Sequence, residues 1–198
     1  MRRVLNNIQE PLAVIILAAG KGTRMNSDLP KVLHPIGALP MITRVVRTAQ
    51  ALQADRIVPI LGYKHDLVQS ALKDDSVECA LQLEQLGTAH AVLQCRNILK
   101  DFSGNVLILY GDVPLIKVET LENLLSLHSE MDIRSTILTT DLPDPTGYGR
   151  IIRNHDHSLM KIVEEKDATE EERQVIEINS GIYVFDAHTL FRLLPLVE

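Results

Sequence analysis

The segment "LAVIIL", residues 12–17, is continuous, branched and apolar, and it runs out at Ala18-Ala19-Gly20. No polar residue alternates with the apolar ones, which predicts a strand buried on both faces. "NVLILYGD" (105–112) predicts a second strand of the same kind. Between them the apolar period changes. Residues 40–53 place Ile42, Val45, Val46, Ala49 and Leu52 at helical spacing, with Pro40 near the start. "RIVPILG" (56–62) predicts a strand, with Pro59 suited to an edge or a bulge. "HDLVQSALK" (65–73) predicts a helix, "VECALQ" (77–82) a strand, "TAHAVLQCRNILK" (88–100) a helix and "KVETLENLLSLHSE" (117–130) another.

This β-α alternation implies a mainly parallel sheet flanked by helices. After residue 130 the pattern shifts. "RSTILTTDL" (134–142), "GRIIRN" (149–154), "LMKIVEEK" (159–166) and "EINSGIYVF" (177–185) read as strands with little helix between them, an antiparallel addition. "DAHTLFRLLPLVE" (186–198) begins a helix. We expect a Rossmann-like α/β domain over residues 12–198 and a loosely held extension over residues 1–11.

The chain has 198 residues, is 45% hydrophobic and 23% charged, and carries a net charge of −6. Trp is absent and there is no long basic run, which disfavours nucleic acid as a partner. No stretch approaches the roughly 18–20 apolar residues of a membrane helix, so no membrane partner is expected. Met1-Arg2-Arg3 ahead of "LAVIILAAG" mimics a secretory signal. The polar "NNIQEP" separates charge from apolar run, and a cytoplasmic location is expected. Cys79 and Cys95 lie in apolar surroundings and read as core thiols. "HDH" at 155–157 offers two imidazoles in a polar turn, which favours solvent over a metal.

Against the acidic total, "AAGKGTRMNSDLPK" (18–31) gathers Lys21, Arg24 and Lys31 in a glycine loop directly after a strand. A GxGxxG dinucleotide loop would need glycine or alanine where Met25 stands, and no GxxxxGK[ST] string exists. A plain strand-to-helix turn explains the glycines but not Arg24 and Lys31. The remaining reading is a phosphate loop of another kind. Gly20 and Gly22 let backbone N–H groups approach an anion, Arg24 offers a planar fork and Lys31 a point charge. Asp112, ending a predicted parallel strand, suits either a magnesium ligand or a cap on the next helix. Gln82 can donate and accept in one plane, as a pyrimidine edge requires.

The blocks "LAAGKGTRMNSDLPKVLH", "LEQLGTAHAV", "LYGDVPLI", "DPTGYGRI", "IVEEKDAT" and "EINSGIY", in that order, resemble the sugar-phosphate nucleotidylyltransferases. The resemblance is strongest to the uridylyltransferase domain of the bacterial bifunctional N-acetylglucosamine-1-phosphate uridylyltransferase/glucosamine-1-phosphate acetyltransferases. It implies the Rossmann-like nucleotidyltransferase fold with a C-terminal antiparallel sugar-binding part, without the β-helix acetyltransferase domain or the trimer built through it. It implies uridylyl transfer from UTP to N-acetylglucosamine 1-phosphate, giving UDP-N-acetylglucosamine and pyrophosphate, a step of cell-wall peptidoglycan and lipopolysaccharide biogenesis. By the resemblance, Arg24 and Lys31 are catalytic. Leu17, Ala18, Gly20, Gln82, Gly87 and Thr88 bind the nucleotide; Gly149, Glu164 and Asn179 bind the sugar; and Asp112 binds Mg²⁺. The chain reads NSG at 179–181 where the family commonly has NTG. The family's domain continues beyond Glu198 and supplies a second metal ligand there. Another sugar phosphate or nucleotide, or a non-catalytic nucleotide-sugar-binding remnant, are the alternative readings.

Overall fold

The computed structural model describes residues 10–22, 25–130 and 133–197. β1 (Leu12–Ala18) lies at the centre of a mixed eight-stranded sheet. β4 (Arg56–Leu61) and β6 (Asn105–Tyr110) pair with it in parallel, one on each side, and β5 (Ala80–Leu81) extends the sheet beyond β4. The alternation expected of a two-sided strand is present. Val14, Ile16 and Ala18 pack with Ile42, Val45, Val46 and Ala49 of α1 (Met41–Ala51) on one face. Ala13, Ile15 and Ala19 pack on the other with Ala91 and Val92 of α3 (Thr88–Leu93) and Ala187 and Leu190 of α6 (Ala187–Leu193). Both strand faces are thus dry, and the apolar run needs no alternation.

α2 (His65–Ala71) and α4 (Val118–Glu130) cover the α1 face through Val68, Leu121 and Leu124. Ahead of α1, β2 (Pro35–Ile36) and β3 (Leu39–Pro40) form a two-stranded hairpin that the sequence reading did not foresee. Pro59 lies inside β4, and the ladder shows how. Ile57 and Leu61 direct their carbonyls to Glu78 and Gln82, on the β5 side. Backbone groups alternate sides along a strand, so the proline's missing N–H also faces that edge, where β5 is only two residues long. The predicted strand 77–82 is correspondingly reduced to Ala80–Leu81.

The predicted helix 88–100 is α-helical only to Leu93. Beyond it the chain tightens into turns, with Cys95 donating to Val92 and Arg96 to Leu93, while Cys95 and Leu99 stay buried. The antiparallel addition continues the same sheet. β10 (Glu177–Asp186) pairs antiparallel with β6, with β7 (Ser135–Asp141) and with β8 (Arg150–Arg153), which in turn pairs with β9 (Leu159–Val163). α5 (Glu170–Arg173) is a single turn held by a Thr169/Glu172 capping box. Its capping carboxylate, Glu172, is also gripped by Lys161, and these contacts hold its pKa down to about 2.

Glu10 and Pro11, the inner end of the expected extension, bond to the side chain and backbone of Asn105; residues 1–9 lie outside the described residues. Among the described residues no helix is long and apolar enough to cross a membrane. Cys95 is buried, which pushes its thiol up to about 12, and Cys79 is half-buried.

Candidate active site

The strand order β5-β4-β1-β6 means the chain builds outward from β1 to one edge, then returns to β1's other side. The carboxyl ends of β1 and β6 diverge at that reversal, and crevices for ligands form there. Ala19 and Gly20 leave β1 at this point, and Asp112 follows β6 by two residues.

Gly22 has φ +62°, and a Cβ built on it would stand 2.6 Å from Cβ of Lys31. The loop therefore crosses directly over the stem of Lys31, which only glycine permits. Lys31 opens a short 3-10 turn, Lys31–Leu33, anchored by the buried Val32. Its ammonium reaches across the cleft to Asp112, with Nζ 2.5 Å from Oδ2. The two side chains are 36% and 28% exposed, so the pair is accessible from the cleft. Arg24, the other expected cation, lies outside the described residues. Gly20 differs from Gly22: a Cβ there would meet nothing within 4 Å. The protein's own packing does not require that glycine.

Gln82 directly follows β5 and is 4% exposed. Its Nε2 donates to the carbonyl of Gly87 (3.1 Å) and lies 3.0 Å from Nδ1 of His90. Gln85 donates from Nε2 to the carbonyl of Ala19, tying this loop to the glycine loop. Thr88 starts α3 beside the hydroxyl of Tyr110. Gln82, Gln85, Gly87, Thr88 and Tyr110, with Leu17, Ala18, Lys31 and Asp112, line one cleft of about 380 Å³; His90 stands behind Gln82 and is not in the cleft's lining. That volume suits a small-molecule ligand. Eight expected residues line the cleft (Leu17, Ala18, Gly20, Lys31, Gln82, Gly87, Thr88 and Asp112) and come together from four separate stretches of chain.

Gly149, Glu164 and Asn179 also come together, in the antiparallel part. A Cβ on Gly149 would lie 3.3 Å from Oε1 of Glu164 and 3.6 Å from Cβ of Asn179, and Asn179 N donates to Gly149 O. Glu164 and Glu165 follow β9 and are not part of it. Glu165 has a different environment from its neighbour. It binds the guanidinium of the buried Arg150 at 2.6 Å and accepts from Gly147 N, which holds its carboxyl below the ordinary range. Asn179 Nδ2 donates to the Tyr183 hydroxyl, and its Oδ1 accepts from Gly181 N.

Tyr110 connects the two groups and was not singled out from sequence. It lines the cleft, feels the negative charge of both Asp112 and Glu164, and backs onto Gly181, where a Cβ would fall 2.4 Å from Tyr Cε2. Burial foremost pushes its hydroxyl pKa up. An aromatic that ends an apolar strand reads as core, so no sequence signal separated it. Gln85, Tyr183 and His90 were missed as well, since their partners lie on other elements or several residues away.

Two further cavities, of about 290 and 590 Å³, share Ser103, Gly104 and Asp186 near the amino end of β6 and hold none of the expected residues. His155 and His157 are exposed, as expected of the polar turn. Among the described residues no three His, Cys, Asp or Glu side chains are placed to hold a metal. Asp112 is the one carboxylate among the described residues that line the cleft. A lone carboxylate does not make a protein cage. It does fit Mg²⁺, which keeps waters and takes other oxygens from substrate phosphates.

The glycine loop with Lys31 and the carboxylate of Asp112 converge at a topological switch point, the place where open α/β sheets hold their ligands. The chain belongs to the nucleotidyl transferase family, whose profile matches residues 13–196. It is 53% identical over 180 residues to the bifunctional protein GlmU of Streptococcus uberis, covering 91% of this chain and 39% of that protein. It is 50% identical over 184 residues to the bifunctional protein GlmU of Brevibacillus brevis, covering 93% and 40%. The chain thus spans about 40% of the length of these relatives. In fold it is similar to UDP-glucose pyrophosphorylase complexed with UDP-glucose (TM-score 0.74, 17% identity, 95% of this chain and 80% of that one). It is also similar to HddC from Yersinia pseudotuberculosis complexed with GMP-PN (TM-score 0.69, 24% identity, 90% and 78%).

Proposed function

We propose that the chain transfers a uridylyl group from UTP to N-acetylglucosamine 1-phosphate, releasing pyrophosphate and forming UDP-N-acetylglucosamine. The observation that carries the reading is the single cleft in which Gln82, Gly87, Thr88, Lys31 and Asp112 meet, joined through Tyr110 to Gly149, Glu164 and Asn179. Donor and acceptor binding surfaces are thereby adjacent.

Leu17, Ala18 and Gly20 line the nucleoside, and Gln82, Gly87 and Thr88 read its base. Gly149, Glu164 and Asn179 receive the sugar through hydroxyl and acetamido contacts. An oxygen of the sugar phosphate attacks the α-phosphorus in line; a new O–P bond forms as the α–β bridging bond breaks, and pyrophosphate leaves with the electron pair. The attacking oxygen is already ionised near neutral pH, so no general base is needed. Arg24 and Lys31 offset charge on the transferring and leaving groups. Asp112 would hold Mg²⁺, which when bound supplies charge neutralisation at the phosphate oxygens. Positioning and electrostatics carry the step. We place this reaction in the cytoplasm.

Pyrophosphate release tests the reading. The purified chain is assayed with Mg²⁺ and UTP, CTP or dTTP against several sugar 1-phosphates. The reading requires the UTP/N-acetylglucosamine 1-phosphate pair to be fastest. A faster pair would reassign the substrates, and nucleotide-sugar binding without turnover would leave a binding protein only.

A further inference from the structure

Gln82 is nearly inaccessible at 4% exposure, so the orientation of its amide is set by protein partners and not by water. An amide nitrogen carries two hydrogens. In Gln82 one goes to Gly87 O at 3.1 Å and the other faces Nδ1 of His90 at 3.0 Å. Turning the amide over would set two oxygens, Gln82 Oε1 and Gly87 O, at that same short separation inside a buried site. His90 must therefore accept at Nδ1 and carry its proton on Nε2. That nitrogen faces the amide of Gln94 at 3.2 Å. Gln94 is only half-buried, and its amide nitrogen bonds its own helix at His90 O. It can turn its oxygen to the ring and leave that bond to solvent. The opposite tautomer would place the conflict at Gln82, where no water can relieve it.

We infer that His90 is a positioning residue for base selection: its Nδ1 takes one N–H of Gln82 while Gly87 O takes the other, which leaves the amide oxygen as the atom presented to the base. This rests on the proposed role of Gln82 at the base. An oxygen there accepts from a ring imide N–H, which uracil and thymine have at N3. Cytosine has a lone pair at N3 and would meet the oxygen with repulsion. Discrimination between the imide bases and cytosine is thereby assigned to a side chain that need not touch the nucleotide.

The test compares UTP and CTP binding by titration calorimetry, and KM and kcat for each, in the whole chain and in His90→Leu and His90→Asn. An Asn oxygen can stand where Nδ1 stands. His90→Leu should lower the UTP-over-CTP affinity ratio by about tenfold, the worth of one oriented hydrogen bond. The change should appear in KM and leave kcat with UTP largely as it was; His90→Asn should restore the ratio. A His90→Leu variant that binds UTP and keeps the wild-type ratio overturns the inference, as does one rescued no better by Asn than by Leu. If the wild-type chain binds nucleotides without preferring UTP, the base-reading role of Gln82 fails first, and the inference with it.

Discussion

Gly181 ties the sheet to the cleft, and replacing it by alanine tests that link directly. It sits where β10 shifts register against β7, between Asn179 and Tyr183, at φ +78°. A side chain in that region costs roughly 1–2 kcal/mol. The added methyl would also lie 2.4 Å from Cε2 and 3.1 Å from Cζ of Tyr110. No real carbon contact is that short, so the ring must move; forcing an extra methyl into a packed site costs roughly 1–3 kcal/mol. Together these predict a loss of about 2–5 kcal/mol, against the 5–15 kcal/mol typical of a whole domain. Urea denaturation should show a lower midpoint with an unchanged slope, and UTP affinity should fall because the displaced ring enters the cleft. The two contributions separate in a double-mutant cycle. In a Tyr110→Leu background the smaller side chain relieves the clash, and Gly181→Ala should then cost only the backbone share, about 1–2 kcal/mol. A Gly181→Ala protein within about 0.5 kcal/mol of wild type, or an equal cost in both backgrounds, would refute the reasoning.

Gly20→Ala adds a methyl where nothing lies within 4 Å, so its thermal midpoint should match wild type or rise slightly, while nucleotide affinity drops; calorimetry on both quantities checks this. Lys31→Ala removes the partner of Asp112 and should cut turnover by at least about tenfold while circular dichroism shows the fold intact; equal turnover would remove Lys31 from the mechanism. His128 is buried against Thr136, and desolvation lowers its pKa below the ordinary 6.5. The unfolded chain then binds the proton first. Stability should therefore hold above pH 6.5 and decline as pH falls from there to the lower folded value, a slope that His128→Gln should flatten in thermal melts at graded pH.

The parallel half was legible because a strand buried on both faces has a one-line signature, and β1 and β6 carry it without interruption. Pro59 was harder: whether it is tolerated depends on which side of β4 its nitrogen faces and how long the neighbouring strand is, neither of which one segment encodes. The 88–100 helix illustrates a different limit. Ala91, Val92, Cys95 and Leu99 are all buried at helical spacing, but spacing reports which side chains are buried and not which carbonyl each N–H reaches. Half of that segment keeps the burial and changes the bond. At the site, the expected nucleotide and sugar residues sit in separate blocks whose meeting depends on the sheet, and the resemblance supplied that grouping. Tyr110 and His90 escaped because each acts through a partner. One is backed by Gly181, 71 positions further on; the other grips Gln82, eight positions earlier.

β10 bonds to β6 with its second half, to β8 near its start and to β7 along both halves, and β9 joins only by way of β8. All four antiparallel strands thus meet the parallel ones across a single ladder of four residue pairs, Tyr183–Asp186 against Asn105–Ile108. The outer strands, with Gly149 and Asn179, stand in register with the cleft side only as accurately as that short seam is kept in step. Loops far out on the sheet can therefore vary without disturbing the parallel half, but a slip of one residue at the seam would displace every outer strand at once.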